Sequence, residues 1–182
     1  MNRNSDSAVH RYFAGLAEST FQSHLGVVDP PLIDYLSDLL IRFVHNDVVH
    51  RVRGVSGKRL LSLPEMVVEA SHRLGDAKRE LHQHIGDFTL FWAGVYPEAL
   101  RQSDDSSHDS KFDIYRTFGK RAYLMASEIE SGQDDIVPSG LLERLSAQYD
   151  LCCYGLREVR RVWESGDGDD SGNLLILSLI HI

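Results

Sequence analysis

Cysteine is nearly absent. The 182 residues hold two, and these are neighbours, Cys152 and Cys153. Adjacent cysteines close a strained ring, and one pair makes no disulfide framework, so both are read as reduced thiols of a cytoplasmic protein. Long apolar runs are missing as well: no stretch approaches the roughly 20 residues that span a bilayer. The opening MNRNSDSAVHRYF has no apolar segment of signal-peptide length. Excess positive charge is also lacking, since 19 Lys and Arg face 27 Asp and Glu, a formal net charge of −8. An acidic chain is a poor match for polyphosphate, so neither nucleic acid nor a membrane is expected as partner. The cluster Arg51, Arg53, Lys58 and Arg59 is the local exception.

Complete catalytic and cofactor signatures are absent too. There is no G-x-S-x-G elbow, no HExxH and no spaced cysteine pair for zinc. GVSGKRL resembles the tail of a phosphate loop, but Arg59 follows Lys58 where Ser or Thr is required. A di-iron site would need two Glu-x-x-His motifs, and the chain has no such pair. No cofactor is therefore expected.

What is present is an ordinary globular composition, 42% apolar and 25% charged, at a length suited to one domain. Apolar spacing of three and four predicts an all-α, single-domain bundle of about six helices. The first covers about Ser7 to Leu25, with Gly26 as its stop. The second opens at Pro30 and Pro31 and carries Leu32, Leu36, Leu39 and Phe43. Residues 46–61 read as an irregular connection or a short hairpin. The third starts with a Ser62/Glu65 capping box and runs to Gly75. The fourth, N-capped by Asp76, carries Leu81, Ile85, Phe88, Trp92 and Val95 and is ended by Pro97. The fifth pairs Ser110 with Asp113 and presents Tyr115, Phe118, Ala122, Met125 and Ile129 up to Gly132. The sixth follows Pro138 with a heptad-like seam of Leu142, Leu145, Tyr149, Cys152, Leu156, Val159 and Trp163. That seam serves either as internal core or, through the 139–163 helix, as a surface for a protein partner or a homodimer.

The domain is expected over residues 1–165, with an acidic tail over 166–176. LSLIHI, residues 177–182, resembles the translation of a transposon mosaic-end adapter, which would put the natural C-terminus near Ile176.

The densest chemistry lies in HQHIGDFTLFWAGVYPE. Asp87, flanked by apolar residues, needs a partner if buried, and Arg121, Tyr123, Tyr115 and Lys120 on the fifth helix are the candidates. Asp87, Arg121, Tyr123 and Tyr115 would then form either the polar floor of a ligand pocket or an internal network fixing helix register. Gly86 and Gly94 would let another helix approach closely. Glu80, His84 and Asp87 share one helix face and make a candidate metal site, whereas His82 and His84 point about 200° apart. His45, Asp47 and His50 form a looser cluster, read as solvated. Cys152 sits on the seam as an inert thiol, and Cys153, about 100° around the helix, is expected to be more accessible.

GDFTLFWAGVYPE followed by YRTFGKRAYL resembles a pattern in an uncharacterised family of bacterial helical proteins. The resemblance implies that the two segments pack as one unit and carries over no functional residue. Taken together, the residues point to a helical association domain without catalysis. The alternative is a metal- or small-ligand-binding protein, with catalysis as an option, built on Glu80, His84 and Asp87.

Overall fold

In the computed structural model, residues 3–44, 62–101, 110–132 and 137–166 are described. Every regular element among them is helical: α1 (Arg3–Glu18), a π-helical turn (Ser19–His24), α2 (Pro30–Val44), α3 (Leu63–His72), α4 (Gly75–Val95), α5 (Pro97–Arg101), α6 (Lys111–Glu128), α7 (Ser139–Ala147) and α8 (Tyr149–Gly166). No helix among these residues is long and apolar enough to cross a membrane.

Among the described residues eight α-helices stand in place of the expected six, for local reasons. The first amphipathic stretch changes to π-geometry after Glu18, which turns Phe21 inward, fully buried, against Gly155 of α8. Gly26, with φ +65, ends that segment in the left-handed region that favours glycine. The sixth expected helix breaks at Gln148 (φ −102, ψ 20), although its whole apolar seam from Leu142 to Trp163 is buried as the spacing predicts. Pro97 ends α4 at Tyr96 and opens the short α5. The residue-46–61 connection, the basic cluster, the His45/Asp47/His50 group and the tail all lie outside the described residues, apart from Gly166 at the end of α8.

The two serine caps hold, and the Asp76 cap does not. The Ser62 hydroxyl accepts from the Glu65 amide at 3.5 Å, and Ser110 accepts from the Asp113 amide at 3.2 Å. α3, however, stops at His72 rather than Gly75, and α4 begins at Gly75 itself with Leu74, not Asp76, at its N-cap. α6 likewise stops at Glu128, before Gly132.

α4 is the central element. Its residues Ile85 to Phe91 are buried without interruption, because helices cover it on several sides. Its most extensive contact is with α6, so the GDFTLFWAGVYPE and YRTFGKRAYL segments do pack as one unit. Glycine makes that approach possible. A Cβ on Gly86 would lie 2.6–2.8 Å from the Tyr123 ring, and one on Gly94 would meet Leu156 at 3.0 Å. The close approach also corrects the expected face of α6. Its buried residues are Gly119, Ala122, Tyr123 and Ala126, while Phe118 is 38% exposed. Gly119, Ala122 and Ala126 let α6 come close to α4, and the one large ring buried with them, Tyr123, lies over Gly86. A single apolar cluster extends from Phe13 to Trp163 through these helices.

Candidate functional site

Asp87 is 2% exposed, on the side of α4 that faces α2. Tyr35 and Tyr123 both donate their hydroxyls to its Oδ1, at 2.6 and 2.8 Å. Arg42 donates from Nη1 to Oδ2 at 3.1 Å. The Gln83 amide donates to the Tyr35 hydroxyl at 3.2 Å, extending the network by one step. Burial and the neighbouring Asp87 carboxylate push both phenols well above their ordinary pKa, so they remain donors. Burial is the largest influence on Arg42 and works against the cation, but Asp87 together with Tyr35 and Tyr123 outweighs it, so the net shift is upward. Each carboxylate oxygen is thus engaged, and three helices are pinned to one atom group.

Of the residues expected around Asp87, Tyr123 is there. The cation is Arg42 of α2 and not Arg121, which lies on another side of α6. Tyr115 packs against Phe88 with ring centroids 6.0 Å apart, and Lys120 turns to Asp150. Tyr35 and Arg42 were missed. Their signal was a spacing of seven, which places a phenol and a guanidinium on one side of an otherwise apolar helix.

Among the metal candidates, Glu80 is exposed and Asp87 is committed to the phenols and Arg42. His84 is partly buried, with an Nε2 that meets no partner, and burial lowers its pKa. Among the described residues no three His, Cys, Asp or Glu side chains converge as a metal site would require. Both thiols are buried, which corrects the expected accessibility of Cys153; burial pushes each up to about 12. Neither is a thiolate at neutral pH, so neither is primed as a nucleophile.

The opposite side of α4 carries an open feature. Asp87 and His82 lie five residues apart, about 140° around the helix. Beyond His82 is a cleft of about 320 Å³ between α3, α4 and α6. α3 contributes Val67 and Ser71, α4 contributes Lys78, His82 and Ile85, and α6 contributes Phe118, Arg121 and Met125. His82 is buried, with its Nε2 lacking a hydrogen-bond partner. Burial lowers its pKa, and the charges of Lys78 and Arg121 lower it further, so the imidazole is neutral at pH 7.

A shallower basin lies between α6 and α7, lined by Arg116, Lys120, Arg121 and Ser146. Here the cations are largely matched. Arg116 donates to Asp150 from Nε at 2.5 Å and from Nη2 at 2.7 Å, and Lys120 adds a bond of 2.7 Å. The Arg116 hydrogen bonds, aided by Lys120, hold the Asp150 carboxyl well below its usual range. A lowered folded-state pKa stabilises above the unfolded value, about 3.9, and that stability is lost as pH falls through the folded value. The pair is solvent-exposed, so Asp150→Asn is expected to cost no more than about 1 kcal/mol at pH 7. The difference from wild type should shrink steadily below about pH 4 in urea unfolding, and a pH-independent difference would exclude the ion pair as its source.

No family model, no curated protein and no solved structure matches this chain.

Proposed function

We propose that this chain is a cytoplasmic, single-domain helical bundle that works by association rather than catalysis, taking a small ligand into the cleft between α3, α4 and α6. The observation that carries the reading is a cleft of about 320 Å³ lined by His82, whose buried Nε2 has no hydrogen-bond partner. An unsatisfied buried polar atom costs about 1–3 kcal/mol, a cost that a ligand group can relieve. The volume falls at the lower end of ordinary ligand pockets. The groups best suited to covalent or acid–base chemistry are otherwise engaged: Asp87 is saturated by internal donors, and the thiols are buried and protonated. That supports a binding role for the cleft, with the Asp87 network as the rigid wall behind it.

The test uses a small neutral probe, octanol, followed by amide NMR shifts. Octanol is expected to move the signals of Ile85, Ala122 and Met125 in the wild type. Ser71→Trp, which places a large ring in the cleft from an exposed position, is expected to abolish the response while leaving the melting temperature near its starting value. An unchanged response in Ser71→Trp, or no shift in the wild type with octanol and with its charged analogues alike, would overturn the reading.

A further inference from the structure

Resting on that reading of the cleft, we propose that its ligand is an amphiphilic monoanion, a small apolar body with one carboxylate head held between Lys78 and Arg121. The charge pattern is the first reason. Most described cations of this acidic chain have an anionic partner: Arg42 with Asp87, Arg116 and Lys120 with Asp150, Arg144 with Asp29, Arg160 with Glu98 and Glu164. Lys78 and Arg121 form no ion pair among the described residues, although they come from different helices and line one cleft. Both line the cleft together with His82, and the charge of each lowers the pKa of that imidazole. Two like charges on one cleft leave it without an internal counter-charge, and a single anionic head there would make charge-assisted contacts with them.

The walls supply the second reason. Ile85, Phe118 and Met125 are apolar, and Phe118 is a large ring left 38% exposed. An apolar ligand body covers that ring and gains about 25 cal/mol per Å² of apolar surface removed from water. His82 completes the set. In its Nε2–H tautomer the neutral imidazole is a donor, and a ring rotation that brings the buried Nε2 to the cleft surface would give the head group a third hydrogen bond. A free phosphate fits less well, because it would lose hydration against apolar walls with only two partly exposed cations in return.

The experiment titrates octanoate, octanol and octylammonium into the intact protein near pH 7 at low ionic strength, reading the amide shifts of the cleft. Octanoate is expected to bind about tenfold more tightly than octanol, with octylammonium weakest. Lys78→Gln and Arg121→Gln are each expected to weaken octanoate about three- to tenfold and to leave octanol unchanged, while Lys78→Arg retains most of the affinity. Raised salt is expected to weaken octanoate alone. Equal binding of octanoate and octanol, a comparison that needs no variant, would overturn the monoanion assignment and leave the cleft reading standing. Failure of all three probes to bind would overturn both.

Discussion

Asp87→Ala is expected to destabilise the protein by about 3–5 kcal/mol, the cost of removing one member of a buried ion pair and leaving its partners unmatched. At roughly 2–4 °C per kcal/mol for a chain of this size, the melting temperature should fall by about 6–20 °C. The carboxylate is 2% exposed, and its removal strands the Tyr35 and Tyr123 hydroxyls and the Arg42 guanidinium together. Asp87→Asn retains an acceptor oxygen and should cost less, on the order of half as much. Tyr35→Phe and Tyr123→Phe should each cost about 1–3 kcal/mol alone, since each deletes a hydrogen bond to a charged group. In the Asp87→Ala background the same two changes should cost close to nothing, because the acceptor is already gone. Urea unfolding of the single and double variants measures this coupling. Additive losses would mean that the three side chains do not act as one network. A coupled loss identifies the network as a device that fixes the register of α2, α4 and α6, a role the sequence left open beside that of a pocket floor.

The division between what the residues disclosed and what they concealed follows the range of the interactions. Seams and caps are local. The run from Leu142 to Trp163 repeats its apolar residues at three and four, and each of its seven seam positions is buried. Ser62 and Ser110 cap helices whose first turns lie three residues away. The two glycines of α4 also signalled correctly, because a missing side chain in a helix interior has few uses besides close approach. Pairing across the fold left a weaker trace. Arg42 meets Asp87 from 45 residues earlier in the chain, while Arg121, much nearer in sequence to Tyr123, faces elsewhere. Burial on α6 depends on how near α4 comes, and the spacing of Phe118 and Met125 carries no record of that distance. The break at Gln148 occurs without proline or glycine, so no local residue announces it. The cleft is the extreme case. Lys78 and Arg121 are 43 positions apart, unremarkable singly, and they acquire meaning only when two helices bring them to His82.

Trp163→Ala is expected to cost about 3–5 kcal/mol, and that loss decides the use of the 139–163 segment. Trp163 is buried against Phe13 of α1, edge to face with centroids 5.0 Å apart. Truncation removes the largest side chain of the seam and leaves a cavity that α1 and α8 close only in part. The entire seam is consumed in this way by the chain's own core, so it does not offer the open interface that a heptad pattern suggests. What α8 presents outward is Leu151 and Tyr154, 36% and 50% exposed. Tyr154→Ala should change the stability of the monomer by no more than about 0.5 kcal/mol. Thermal unfolding and sedimentation of the two variants separate the possibilities. A large loss of stability for Trp163→Ala, with no change for Tyr154→Ala in either measurement, confines the seam to folding. A mass that falls on Tyr154→Ala would assign association to the outward side of α8 instead. The heptad spacing would then still belong to the core, because a helix cannot turn the same side both to α1 and to a partner.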